Sequence, residues 1–301
     1  MGWEYEGLFD SIRTEGRDLT SVFWTKEETA IRVGQMGYRT HTVKAGTRLE
    51  AEIYPIFGKQ KTDRLRAEKK NRTPEKVAEL NMIRSKRRLV LMVENNFDYW
   101  TDVAVTLTYE QPGVGYDRCR KDIKNFFDKV KRIRKKRGLG ELKWIVAVGH
   151  DENQQIHAHV LMNGGIERTE LEKIWGHGYA NTYALQTYGK GLQGIANYLY
   201  KQNEAEKRKG RRENMKSWSG SRNLKKPKER VSDNKFRKTQ IKNIAYSFEN
   251  EAKEITERTY PGYTLEDCRV YFSDVIDGVY IRCVMRRNKE WTDRGRSTRT
   301  R

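Results

Sequence analysis

Histidine and cysteine are scarce in this chain, and long apolar runs are missing. The three cysteines among 301 residues, Cys119, Cys268 and Cys283, form no C-x-x-C set. A cysteine-built metal site or disulfide framework is thereby set aside, and a reducing compartment is implied, so the expected location is cytoplasmic. No apolar stretch approaches the roughly 20 residues that cross a bilayer. The opening Met1-Gly2-Trp3-Glu4-Tyr5-Glu6 lacks the apolar core of a signal peptide. A G-x-x-x-x-G-K-[ST] phosphate loop is also missing, so no built-in helicase is expected.

Positive charge is abundant. Lys and Arg number 61 against 41 Asp and Glu, for a formal charge of +20. Such a field attracts polyanions, with nucleic acid the default partner. An anionic membrane is the rival, but the basic residues are spread along the chain with Trp and Tyr among them rather than gathered on one amphipathic helix.

Periodicity gives the element order. Residues 1 to about 35 are weakly patterned. Alternation over 38–43 and 48–54 around Gly46 predicts a β-hairpin, with His41 an ordinary exposed strand residue. Lys59 to Arg72 reads as a basic helix or linker, and Thr73-Pro74-Glu75 opens a helix to about Asn95. Then come a strand at 103–109, a helix at 117–137, strands at 143–150 and 156–163, a helix at 168–175, a strand at 179–185 and a helix from about 192 to 202. That is β-α-β-β-α-β plus a helix. The expected fold class is α+β, a ferredoxin-like or RNA-recognition-type antiparallel sheet with one face open for a ligand.

Two of the five histidines stand at i and i+2 in Ile156-His157-Ala158-His159-Val160. On a strand they share one face, while Ile156, Ala158 and Val160 take the other, so the pair begins a metal site. The preceding strand ends at His150. An even hairpin loop sets His150 opposite His157 as a third ligand; an odd one turns it away and leaves Glu152 or a more distant residue.

The last helix carries Tyr198-Leu199-Tyr200-Lys201. Tyr198 and Lys201 share a helical face, and Tyr200 is rotated away. Brought near the histidine strand, a tyrosyl oxygen can attack a phosphodiester if a cation on the histidines offsets the developing charge. Lys201 adds a point charge near the same phosphate.

Together, Val105-Thr106-Leu107-Thr108-Tyr109, Ile156–Val160 and Tyr198–Lys201 resemble the three motifs of the HUH endonucleases, specifically the rolling-circle replication initiators of plasmids and phages. The resemblance covers roughly residues 100 to 205. It implies a site- and strand-specific nicking and joining enzyme for single-stranded origin DNA. His157 and His159 would bind Mg²⁺ or Mn²⁺, with His150 nearest the place of the third ligand. Tyr198 would form a 5′-phosphotyrosyl bond, Lys201 would assist, and Thr106, Thr108 and Tyr109 would lie along the DNA surface. A host helicase and polymerase would be partners. Family members usually supply a carboxylate or Gln as third ligand, and a three-histidine site would be softer, favouring Mn²⁺ over Mg²⁺. The positions four before and four after Tyr198 are Gly194 and Gln202, so the chain resembles a single-tyrosine enzyme.

Four regions are expected: 1–98, an N-terminal hairpin and basic helices; 99–205, the nuclease domain; 206–242, a basic linker; and 243–301, a C-terminal helix, hairpin and basic tail. In the linker Trp218, Arg222, Lys225 and Lys226 are candidates for stacking on bases and meeting phosphates, against the alternative of a solvated tether. The rival functions are a single-tyrosine transposase with the same chemistry and a non-catalytic nucleic-acid-binding module.

Overall fold

The computed structural model describes residues 36–56, 73–150, 155–186, 191–208, 217–246, 250–272 and 278–288. In chain order they form β1 (Gly37–Ala45), β2 (Arg48–Ile56), α1 (Pro74–Asn96), β3 (Val103–Thr108), α2 (Tyr116–Lys136) and β4 (Trp144–His150). Next come β5 (Ile156–Met162), α3 (Arg168–Trp175), β6 (Ala180–Ala184), α4 (Gln193–Arg208) and β7 (Ser219–Gly220). The chain then forms β8 (Lys228–Ser232), α5 (Lys238–Tyr246), α6 (Asn250–Thr259), β9 (Tyr263–Phe272) and β10 (Val279–Arg287). The strands make two antiparallel five-stranded sheets, so the protein is α+β.

The chain divides into two compact units, Ser85–Lys226 and a second made of Met1–Arg84 with Pro227–Arg301. The sheet of the first unit runs β6-β3-β5-β4-β7. Apolar residues at alternate positions, including Val105, Leu107, Val146, Val148, Ile156, Ala158 and Val160, face a core closed by α2 and α3. Helix α2 contributes Ile123, Phe126, Phe127 and Val130, a stripe at helical spacing. Helix α3 supplies Trp175, whose indole N–H donates to Thr108 O at 3.0 Å, and ends at Gly176 in the left-handed conformation, φ 66°. Strand β5 is buried on both faces.

The other unit has the order β8-β1-β2-β10-β9. Leu49, Ala51, Ile53, Ile281, Cys283 and Met285 pack with Ile241, Ile244 and Ile255 of α5 and α6. The N-terminal hairpin and the C-terminal strands, read as separate regions from sequence, are hydrogen-bonded neighbours, with Ile53 opposite Ile281. The opposite face of β2 carries buried charge: Glu50 accepts from Arg48 at 2.9 Å and from Arg282 at 3.0 Å. His41 is buried rather than exposed, because it faces the same way between Glu52 and Glu229, 3.6 and 3.3 Å from their carboxylates.

Within the expected basic linker, 206–242, the described residues do not follow the alternative of a solvated tether. Residues 217–226 belong to the first unit, and β8 pairs with β1. Of the helix expected to open the C-terminal region, residues 243–246 end α5 and residues 250–258 lie in α6. No helix among the described residues is long and apolar enough to cross a membrane.

Candidate active site

Cross-strand register sets out the face of the first sheet that α2 and α3 leave uncovered. Three rows cross it. One holds Thr108, His157 and Gly149, the next Asn181, Thr106, His159 and Ala147, and the third Tyr183, Ala104, Leu161 and Ile145. The i, i+2 spacing thus places both histidines side by side, as expected for a strand, with ring centroids 4.8 Å apart and planes at 78°.

Both rings are buried. Thr106 Oγ1 lies 3.1 Å from His159 Nδ1, while His159 Nε2 is buried with no hydrogen-bond partner among the described residues. Burial, with the neighbouring His157 imidazole second, pushes His159 down from 6.5 to about 4. The ring is therefore neutral at pH 7, the form that ligates metals. With its proton on Nδ1 it donates to Thr106 and leaves the Nε2 lone pair turned inward. His157 Nδ1 sits 3.4 Å from Gln155 O, at the long end of hydrogen bonding.

Helix α4 lies against β4 and covers that side of the same face. Its start is tied down by Leu192 N–H donating to the buried Glu94 carboxylate at 3.1 Å. Ala196, Leu199 and Tyr200 form the buried stripe, and Tyr200 is 2% exposed. Tyr198 falls off that stripe and is 43% exposed. Its ring meets His159 edge-on, centroids 5.0 Å apart. The tyrosine and the two histidines therefore meet at one place. Lys201 is on the same helix; its side chain lies outside the described residues.

His150 does not join them. The β4–β5 register pairs it with Ile156, so it takes the core-side alternation while Gly149 stands opposite His157. The odd-loop branch of the sequence reading is the one realised. Glu152 lies outside the described residues, and no group of three His, Cys, Asp or Glu side chains capable of holding a metal occurs among those that are described. Gln155, two before His157, takes the next position of that alternation, and its side-chain N–H donates to Tyr109 O.

Residues 102–203 match the replication-associated protein ORF2/G2P family. The matched segment is roughly a third of the chain, beginning just before β3 and ending within α4. It contains both histidines, Tyr198 and Lys201. No curated protein and no solved structure matches the chain.

The expected DNA-contacting residues divide. Thr106 and Thr108 lie on the histidine face, half-buried. Tyr109 does not: it is buried in the core, edge-on to Trp175 at 5.2 Å, and its hydroxyl donates to Asp122 at 3.0 Å. Burial, followed by the nearby acidic groups, pushes its pKa up. Alternation explains this, since Tyr109 is two past Leu107 and so on the helix side. Trp218 is half-buried, its indole N–H donating to Ser85 at 3.2 Å, which makes it a packing residue of this unit. The side chains of Arg222, Lys225 and Lys226 are exposed. Tyr179 and Tyr183, not among the expected site residues, stand exposed on the histidine face; the sequence signal for them is the alternation of Tyr179, Asn181 and Tyr183 with the smaller Ala180, Thr182 and Ala184.

Proposed function

We propose that the chain is a metal-dependent, strand-specific single-stranded DNA endonuclease and ligase of the HUH type that initiates rolling-circle replication. The observation that carries the proposal is the meeting of Tyr198 with His159, whose Nε2 is buried and lacks a described partner. The match to replication-associated proteins and the sheet order β6-β3-β5-β4, which agrees with a ferredoxin-like arrangement, support it.

The donor set fits a divalent cation: a neutral buried imidazole whose Nε2 has no described partner, a second imidazole beside it, and a hydroxyl to fix the ring. His157 and His159 would hold Mg²⁺ or Mn²⁺, with Gln155 or Glu152 as the oxygen donor. When bound, the cation would polarise the scissile phosphate and stabilise its transition-state charge. With His150 turned away, the softer three-imidazole set is lost, and so is the reason to expect Mn²⁺ over Mg²⁺.

Tyr198 is the nucleophile and Tyr200 is not, because one hydroxyl-bearing ring is exposed beside the histidines and the other is buried. Attack forms the bond from Tyr198 Oη to phosphorus and breaks the bond from phosphorus to O3′. The tyrosyl proton leaves, and the departing O3′ takes one up. Attack by a 3′-OH on the phosphotyrosine reverses the step, joins the strand and frees Tyr198. Lys201, one turn on, would place its charge by the phosphate. A host helicase would then unwind the duplex and a host polymerase would extend the 3′ end.

The test is a denaturing-gel assay with labelled single strands from the protein's own replicon. Wild type with Mn²⁺ or Mg²⁺ is expected to give a covalent band that Tyr198→Phe and a chelator abolish. Binding without an adduct in either metal would return the chain to the non-catalytic class.

A further inference from the structure

The uncovered face of the first sheet is not uniform. Helix α4 covers its β4 side, and the far side ends at the edge strand β6. There Tyr179 is 69% exposed and Tyr183 is 42% exposed, with Asn181 between them also exposed, while Ala180 is buried on the other face. Thr108 N–H donates to Tyr179 O at 2.8 Å, which continues the β3–β6 register and puts Tyr179 in the row of Thr108 and His157. Tyr183 heads the row of Ala104. Between tyrosines and histidines lies only β3, whose residues on this face are Ala104, Thr106 and Thr108. Two large rings at the edge, small side chains in the middle and Tyr198 beyond make a low floor with raised sides. At about 4.8 Å per strand, the edge tyrosines stand roughly 10 Å from the histidines.

A third ring adjoins the end of β6. Trp100 N–H donates to Leu185 O at 2.8 Å, and the side chain is 66% exposed. Its φ of 72° makes it the only described non-glycine residue in the left-handed region. A bulky residue there is strained, and burial does not offset the strain at an exposed site. Outliers of this kind cluster at binding sites.

The geometry points to a base-stacking subsite: Tyr179, Tyr183 and Trp100 receive the unpaired bases of a DNA strand whose phosphodiester lies at Tyr198. This inference rests on the nicking reading, to which it adds the determinant for unpaired DNA. Aromatic faces accept bases only when those bases are unstacked from a duplex, and they do so with little regard to sequence. The net charge of +20 supplies the attraction to phosphate. Same-face residues on a strand are about 7 Å apart, so Tyr179, Asn181 and Tyr183 would meet splayed bases rather than a continuous stack.

The test is fluorescence anisotropy of labelled oligothymidine on the full chain with chelator present, so that binding is read without chemistry. Tyr179→Leu, Tyr183→Leu and Trp100→Leu are each expected to weaken binding about fivefold to a hundredfold. Tyr→Phe and Trp100→Phe should restore it, because the ring and not the hydroxyl or indole is required. The slope of affinity against salt should not change, since no phosphate contact is removed. If the Leu variants bind within twofold of wild type, the subsite is overturned; a surface that binds another protein would give that result too. The two proposals separate cleanly. A normal adduct with unchanged Leu-variant binding sinks the subsite and leaves the nicking reading. No adduct in wild type, with the ring-dependent pattern intact, does the reverse.

Discussion

Thr106 and valine have nearly the same shape, so Thr106→Val takes away the hydroxyl 3.1 Å from His159 Nδ1 and little else. On the proposed cation site, loss of a partner that orients the imidazole is expected to weaken the apparent Mn²⁺ affinity about 10–100-fold, read from the metal dependence of adduct formation. Thr106→Ser should recover most of it; equal losses in both variants would mean that the hydroxyl does not orient the ring. Tyr109→Phe gives the opposite pattern. It removes one donor from the buried Asp122, which keeps Arg118 at 2.9 Å, so stability should fall by about 1 kcal/mol in urea titration with DNA affinity unchanged. At this scale His157, His159 and Tyr198 were legible because strand and helix periods alone dictate which way they point. Tyr109 falls on the core side, not the DNA surface, because strand alternation separates it from Thr106 and Thr108 within the same motif. His41 was placed wrongly because its burial comes from Glu229 and Glu52, 188 and 11 residues away, one of them beyond the reach of any local pattern.

The elements themselves were read from the sequence nearly to the residue between 103 and 185, where apolar period and glycine stops agree. What alternation alone leaves open is register. His150 hung on whether the β4–β5 loop was odd or even, and only the pairing of Gly149 with His157 decides it. Glycine 178 shows how tightly the edge strand is set. A Cβ there would lie 2.4 Å from Glu110 N and 2.6 Å from Thr108 O, both backbone atoms, at a φ of 145°. Gly178→Ala is expected to pull the start of β6 from β3, at a cost of about 1–3 kcal/mol. Hydrogen exchange checks this directly, because the Thr108 amide bonds to Tyr179 O and should lose protection, while amides of β5 should keep theirs.

Over the whole molecule, no local pattern marks the N-terminal hairpin and the C-terminal strands as parts of one sheet, since their pairing joins residues more than 200 positions apart. Each unit has its own core, so calorimetry is expected to resolve two transitions. Ile281→Ala, a truncation at a fully buried site, should lower one of them by about 2–5 kcal/mol and leave adduct formation intact. A single transition that moves as a whole would show the two units to be coupled. The interleaving also sets a timetable for synthesis. Strand β2 leaves the ribosome long before β10, its neighbour in the sheet, and at about 5–20 residues per second the wait is roughly ten to forty-five seconds. Throughout it the first hairpin shows an open pairing edge. Strand β2 also carries Arg48, Glu50, Glu52 and Pro55, the charges and proline that discourage an idle edge from sticking to another chain. Glu50, one of these edge charges, receives Arg282 when the last strand arrives.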